Sequence, residues 1–261
     1  MKKFLQDNLL DNPFMLDTRR VFGFKSKSSA AFQSKMLLGL VFTITGLLCV
    51  LLIFYPDFFP IEAIAYVHLF TLMLVAPATC YMSYAAEVER RTWDFVMVSP
   101  VSALKILVGK LIPAIIAMCL VQGISILFYG LQFFLFTFKS LNTKPFSIYI
   151  AANLFNFVVG VFVVALVSLI SLKSKRVRVA STNGFVATFA LLFIWPLLSA
   201  LTQSRELENL SPLSTLGNIL NSFSKGEMFT QPLLEASLQS VVYLICATLI
   251  FVYIYRHVRT K

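Results

Sequence analysis

Long apolar runs, separated by short polar or charged stretches, dominate the pattern of this chain. Several reach the roughly 20 mostly apolar residues that a helix needs to cross a bilayer. The pattern therefore predicts an all-α polytopic membrane protein with six transmembrane helices. The third run is longer than a bilayer requires and contains Pro113, which favours a kink, a tilt or a break. The six predicted spans are Met36–Tyr55, Ile61–Ala86, Ile106–Phe138, Phe146–Leu172, Thr182–Leu201 and Leu233–Tyr255.

The pattern divides the chain into an N-terminal segment, residues 1–35, and a transmembrane domain, residues 36–261. Asn12 can cap a helix that has Pro13 at its first position. Apolar side chains between positions 14 and 22 share one face of this helix, and basic ones lie elsewhere. We predict an amphipathic helix along the inner leaflet, with a disordered tail as the alternative. The segment lacks the pattern of a cleaved signal peptide, so the first span is expected to act as an uncleaved insertion signal.

Composition and charge agree with a membrane protein. The chain is 58% hydrophobic and 13% charged, whereas soluble domains are about 45–50% apolar and about 25% charged. Of the 22 basic residues, 18 fall in the two termini, residues 87–110 and the 173–178 connection, and four fall on the opposite side. The positive-inside rule then places both termini in the cytoplasm. The net charge of +10 is thus explained by topology and anionic lipid, not by nucleic acid.

The outer connections are short except for residues 202–232, which are moderately apolar. A plain external loop and short interfacial or re-entrant helices are both consistent with this stretch.

Several kinds of chemistry have no signature in the sequence. There is no GxxxxGK[ST] loop, no HExxH and no GxSxG, so we expect no catalytic residue, no bound ATP and no metal in this chain. The four cysteines do not pair at metal-ligand spacing, and His68 is expected to be a buried structural residue. Carboxylates near the membrane midplane are also scarce, which argues against ion-coupled transport and for energy supplied by a partner.

Residues 87–110, called the island below, form a charged stretch between the second and third spans. Such a stretch must lie at a membrane surface. Glu87 and Arg91 are spaced to pair along a helix, and Trp93 begins an apolar stripe with Val96 and Met97. Pro100 then ends this helix, and Ser102 can cap the next one. Taken alone, the island predicts either a surface helix that anchors a loop or a docking element for another protein.

The island resembles the signature of ABC-2 type permeases, the membrane subunits of many ABC exporters. The family's usual glycine is Arg91 here, and a commonly acidic position after the serine is Lys105. The six-span layout extends the similarity across the chain, and Ser211-Pro212-Leu213 before the last span adds to it. The matching positions of the island are Glu89-Arg90, Arg91-Thr92, Trp93, Asp94, Phe95–Val98, Ser99-Pro100-Val101-Ser102, Ile106-Leu107 and Gly109-Lys110.

The resemblance implies a coupling helix at about residues 87–102 that docks into a cleft on a separate ABC ATPase subunit. Two ATPase copies would bind ATP and Mg²⁺ and drive a permease homodimer or heterodimer in a bacterial inner membrane, with export of substrate. Trp93 and Phe95 would be anchors, and the acidic residues would meet basic residues of the partner. The implied coupling residues are Glu87, Glu89, Arg90, Arg91, Thr92, Trp93, Asp94, Phe95, Pro100, Ser102, Gly109 and Lys110.

The substrate path is less well marked. Polar and aromatic residues of spans two and five are candidates to line it, although ordinary hydrogen bonds between helices are the favoured explanation for them. The alternatives to a transporter are a lipid-modifying membrane enzyme and a passive channel. The candidate path residues are Thr79, Tyr81, Ser83, Tyr84, Asn183 and Thr188.

Overall fold

The computed structural model describes residues 62–98, 100–138, 146–204, 209–221 and 230–259, together with isolated helical positions between 39 and 54. The predicted N-terminal amphipathic helix, most of the first predicted span, Ser99, and residues 205–208 and 222–229 of the predicted external loop lie outside these residues. Within the described ranges, every regular element is a helix.

The helices follow from the apolar runs and from the turns between them. Numbered along the chain, they are α1 (Glu62–Cys80), α2 (Ala85–Glu89), α3 (Trp93–Val98), α4 (Ala103–Phe138), α5 (Phe146–Lys173), α6 (Val177–Thr202), α7 (Pro212–Asn221) and α8 (Thr230–Arg259).

Five stretches within the described residues are long and apolar enough to cross a membrane. They correspond to predicted spans two to six, and the chain is therefore a multi-pass membrane protein. The helices run a few residues beyond several predicted ends, because polar residues at the interface continue the helix. The five stretches are Ala63–Glu89, Ala103–Leu131, Ile148–Lys173, Val177–Thr202 and Leu233–Arg259.

The second and third spans can be compared with their predicted forms. The second was expected to be one continuous helix, but it breaks at a turn over residues 81–84. Pro77, inside α1, lacks a backbone N–H and weakens the helix just before this turn. The third span was expected to kink, tilt or break; it does not break, because α4 is one α-helix of 36 residues that passes through Pro113.

Helix α5 is the centre of the bundle and packs against α1, α4, α6, α7 and α8. Small residues allow this close packing, as in other membrane helices. A Cβ atom on Gly160 of α5 would lie 2.8 Å from Met118 Cε and 3.6 Å from Leu72 Cβ. Helices α6 and α8 lie at the outside, because only 17% of the apolar stretch in each is buried.

Helix α7 forms part of the predicted external loop. It has one apolar face, and Leu216, Ile219 and Leu220 on that face are buried in the core. The side chain of Gln239 in α8 donates a hydrogen bond to the carbonyl of Leu210, just before α7, at 2.8 Å. The middle of this connection is therefore a short amphipathic helix packed on the bundle, and not a plain loop.

Candidate functional site

The island forms one compact unit in which α3 is held between two turns. Residues 90–92 separate α2 from α3, and residues 100–102 precede α4. The Ser102 hydroxyl accepts a hydrogen bond from the backbone N–H of Lys105 at 3.4 Å. This confirms the predicted cap of the third span. An acid at position 105 would complete a capping box, which the lysine cannot do.

Arg91 adopts a backbone conformation that favours glycine. Its φ angle is 57°, in the left-handed region. The N–H of Thr92 donates to the carbonyl of Glu87 at 2.9 Å, and the N–H of Arg91 donates to the carbonyl of Val88 at 3.1 Å. This pair of bonds is the Schellman motif, whose left-handed residue is usually glycine. The glycine that the resemblance led us to expect at position 91 thus has a local structural reason.

The apolar stripe of α3 faces its own chain. Trp93 is 8% exposed and packs edge-to-face on Tyr84, with ring centroids 5.7 Å apart. Val96 and Met97 pack against the same core. The indole of Trp93 therefore has little exposed surface in this structure, and its expected role as a docking anchor stays a prediction.

The opposite face of α3 is exposed. Phe95 is 74% exposed and Val98 is 80% exposed, and the carboxylate of Asp94 lies on the same side. The exposed residues of the preceding turn, Arg90 and Arg91, adjoin this face. Below, the docking face means these five residues. An exposed phenylalanine beside charged side chains is typical of a surface that binds another protein.

A buried ion pair ties the island to α4. Lys110 is 2% exposed, and its ammonium group pairs with the Glu87 carboxylate, 23 residues earlier in the chain. The expected pair between Glu87 and Arg91 is not the one that the structure contains, because α2 ends before Arg91 completes a helical turn. Gly109 is buried next to Lys110. Both residues therefore lie within the chain's own packing and not on the docking face.

Glu89 connects the island to a second helix. Its Oε2 atom accepts a hydrogen bond of 2.7 Å from the backbone N–H of Val177, the first residue of α6. A carboxylate at a helix N-terminus is also stabilised by the helix dipole. The island and the 173–178 connection consequently lie at the same end of the bundle, as the distribution of basic residues predicted.

Ser171 of α5 holds the break between α1 and α2. Its hydroxyl oxygen accepts hydrogen bonds from the N–H groups of Tyr84 at 3.0 Å and Ala85 at 3.1 Å. The same hydroxyl donates to the carbonyl of Tyr81 at 2.8 Å. One side chain thus satisfies three backbone groups that a continuous helix would have paired internally. We call Ser171 and residues 81–85 the clasp.

The candidate path residues do not form one surface. Thr79 and Thr188 are buried, and their hydroxyls donate to carbonyls of their own helices at 2.9 and 2.8 Å. Ser83 donates to the carbonyl of Lys110 at 3.3 Å, whereas Asn183 is exposed on α6. Tyr81 and Tyr84 are buried at the clasp. Hydrogen bonding within the bundle accounts for Thr79, Thr188 and Ser83, so these three give no support to a shared path.

A second set of polar residues was not singled out from the sequence as a site. Three members, His68, Asn153 and Asn156, are almost fully buried among apolar helices. The available signal was polar amides in apolar runs, with Asn153 and Asn156 three residues apart in the fourth predicted span. We call this set the buried polar chain; it consists of His68, Gln122, Ser125, Asn153 and Asn156.

The described residues contain no group of three His, Cys, Asp or Glu side chains that could hold a metal ion. Comparisons with known proteins point to one family. The family described as "ABC-2 family transporter protein" matches residues 17–255. Among curated proteins, none matches the chain. The family match covers both the island and the helices that hold it.

Proposed function

This chain belongs to the ABC-2 family of transporter proteins, and we propose that it is the permease subunit of an ATP-driven exporter. A separate ABC ATPase subunit would bind ATP and Mg²⁺, in two copies, and this chain would carry the substrate across a bacterial inner membrane. Both termini and the island would then face the cytoplasm, where the ATPase lies. A second permease copy, identical or similar, would complete the assembly.

The observation that carries the proposal is the division of α3 into two faces. One face is fixed to the core through Trp93, while the other presents Phe95 at 74% exposure. A free amphipathic segment would bury its apolar residues on one side and leave polar residues outside. An exposed Phe95 and Val98 on a helix already anchored by its other face therefore favour a protein partner.

The contacts behind this face connect it to three membrane helices. The ion pair between Glu87 and Lys110 joins the island to α4, and the bond from Val177 to Glu89 joins it to α6. The clasp joins it to α5. A partner that moves α3 would thus act on three membrane helices at once.

The partner surface can be inferred from the docking face. Asp94 requires a basic residue opposite it, and Arg90 and Arg91 require acidic or polar groups. Phe95 requires an apolar pocket. Glu87 is engaged within the chain, and Glu89 is occupied at the start of α6, so neither is needed as a contact of the partner.

The first experiment is purification of the tagged chain from its own host in mild detergent, followed by mass spectrometry. We expect an ABC ATPase subunit in stoichiometric amount. Phe95→Ala should weaken its retention about 30-fold, as expected for loss of a central anchor worth about 2 kcal/mol. Asp94→Lys should do the same through charge reversal, while membrane insertion and thermal stability stay unchanged.

Phe193→Ala is the matched control, because Phe193 is another exposed phenylalanine, on the outer face of α6. It should retain the ATPase fully. Trp93→Ala should lower thermal stability, since it removes a buried ring. A chain that purifies without any ATPase, or Phe95→Ala and Asp94→Lys variants that retain it normally, would contradict the proposal.

A further inference from the structure

The last turns of α5 and α8 meet and bring basic side chains together. Lys173, the last residue of α5, donates a hydrogen bond from its ammonium group to the Tyr253 hydroxyl of α8 at 2.6 Å. The same ammonium nitrogen lies 5.1 Å from the centre of the Tyr253 ring. His257, one turn further along α8, stacks on this ring with centroids 6.2 Å apart. The position of the Tyr253 ring is thus fixed by neighbours on two helices.

The contact between Lys173 and Tyr253 directs further donors away from the pair. The phenol oxygen accepts a proton from the ammonium group, so its own O–H group is a donor to another partner. The ammonium group carries three N–H bonds, of which Tyr253 takes one. Arg256 is exposed and follows Tyr253 by three residues, which places it on the same side of α8. Below, the basic corner means Lys173, Tyr253 and Arg256.

The helices that form the basic corner carry almost no acid to offset its charge. The sequence of α5 and of residues 174–176 contains no Asp or Glu, and α8 contains only Glu235. Glu235 is near the opposite end of α8, about 27 Å from Tyr253 along the helix. Glu89 reaches the start of α6, where its Oε2 atom accepts the N–H of Val177. Two cations concentrated in this way attract an anion.

An exposed apolar stripe leads from the basic corner along α8. Leu249, Ile245 and Val242 lie about one, two and three turns before Tyr253, on the same face of the helix. Their exposed fractions are 64%, 54% and 56%. From Tyr253 to Val242 the stripe is about 16 Å long, close to the roughly 15 Å of hydrocarbon in one leaflet of a bilayer. Its length therefore matches an acyl chain that begins at the membrane surface.

We propose that the basic corner and this stripe bind one anionic phospholipid. The phosphate of the headgroup accepts hydrogen bonds from the Lys173 ammonium group and the Tyr253 hydroxyl, and Arg256 supplies the second positive charge. One acyl chain lies along Leu249, Ile245 and Val242. The site is outside the docking face and does not rest on the proposed transport function.

The other candidate occupant of this face is a second copy of the chain. A two-fold interface places each surface patch on the same patch of the partner. The cations of one basic corner would then face the same cations of the other copy, and such like-charge contacts are costly. An anionic headgroup has the opposite charge, so the phospholipid is the better fit.

The test is native mass spectrometry of the purified full chain in mild detergent. The chain is mixed with equal amounts of phosphatidylglycerol and phosphatidylcholine that carry the same acyl chains, and the ratio of the two bound lipids is measured. We expect a ratio of about 25, because each cation favours the anionic lipid about fivefold, or about 1 kcal/mol. Inorganic phosphate in excess should not displace the lipid, because it has no acyl chain.

Variants separate the charges from the hydroxyl. Lys173→Gln and Arg256→Gln should each lower the ratio about fivefold, and the double variant should bring it close to one. Tyr253→Phe keeps the ring that stacks on His257 and removes only the O–H group. It should lower the bound amount of both lipids and leave their ratio unchanged, since both carry a phosphate.

Arg178→Gln is the matched control, because it removes one positive charge from an exposed position on α6. It should leave the ratio nearly unchanged. An equal loss in Arg178→Gln and Lys173→Gln would overturn the proposal, since it would show a general attraction of anionic lipid to basic residues. Displacement of the lipid by inorganic phosphate would assign the site to a free anion. A dimer that binds phosphatidylglycerol only after it dissociates would assign the face to a second copy.

Discussion

At the scale of single residues, the island depends on side chains and backbone angles that have little to do with its exposed face. Arg91 closes the turn after α2 with a φ of 57°, and Lys110 neutralises a carboxylate that is mostly shielded from water. Lys110 matches the family signature, whereas Arg91 departs from it although its backbone angle favours glycine. Their substitution should therefore change stability before it changes any contact with a partner.

Arg91→Gly should stabilise the chain or leave it unchanged, with a gain of up to about 1 kcal/mol. A left-handed residue with a Cβ atom costs about 1–2 kcal/mol, and the extra freedom of glycine in the unfolded chain offsets part of that gain. Arg90→Gly is the matched control, because Arg90 has a right-handed φ of −80°. Thermal unfolding in detergent should rank Arg91→Gly above Arg90→Gly, and the reverse order would refute the turn geometry.

Lys110→Met should destabilise the chain by about 3–5 kcal/mol, since it leaves the Glu87 carboxylate buried without a counter-charge. Adding Glu87→Leu should restore most of that loss, because the double variant buries two apolar side chains instead of one isolated charge. Lys175→Met, at an exposed position between α5 and α6, should have little effect. A double variant no more stable than Lys110→Met would show that the two side chains are not coupled.

At the scale of helices, the break between α1 and α2 depends on α5. The turn over residues 81–84 has its free backbone groups satisfied by Ser171, which lies about 90 positions later in the chain. The break is consequently a joint property of two elements. Its stability should report on how tightly α5 packs against α1.

Ser171→Ala should loosen the clasp by about 1–3 kcal/mol, because three backbone groups lose their buried partner. Hydrogen–deuterium exchange should become faster at residues 81–86, with less change in the rest of α1. Ser168→Ala removes a buried hydroxyl from the same helix that has no hydrogen-bond partner among the described residues, so it should leave exchange at 81–86 unaltered. Equal exchange in both variants would show that Ser171 does not hold the turn.

The elements themselves were largely predictable, because each is encoded by nearby residues. Apolar runs of spanning length predicted the helices. The position of Ser102 after Pro100 predicted the start of α4. The pairs that shape the island are encoded by distant residues and were missed. Glu87 had a suitable partner four residues away, but the helix ended too early. Trp93 is a residue type that often anchors a protein interface, and only the fold showed that it packs on Tyr84.

At the scale of the whole molecule, the bundle is built around α5, with α6 and α8 outermost. The docking face lies at one end together with the 173–178 connection, and each membrane span reverses the chain. This arrangement, combined with the count of basic residues, makes the orientation a testable property of the intact protein.

The docking face should be reached only from the cytoplasm, and the segment before α7 only from outside. In a chain whose four cysteines are replaced by alanine, Asp94→Cys should resist a membrane-impermeant maleimide in intact cells and react after lysis. Leu210→Cys, at an exposed position before α7, should react in intact cells. The opposite pattern would invert the proposed topology.

One consequence of the uninterrupted α4 concerns leverage. Its 36 residues make a rod about 54 Å long, well beyond the roughly 30 Å of hydrocarbon that a bilayer provides. The island is attached at one tip of this rod. A rotation of only about 5° there would sweep the far tip through about 5 Å, a full helical turn. A tilt of this one helix would therefore move both of its ends, on the two sides of the membrane, without a break in the helix.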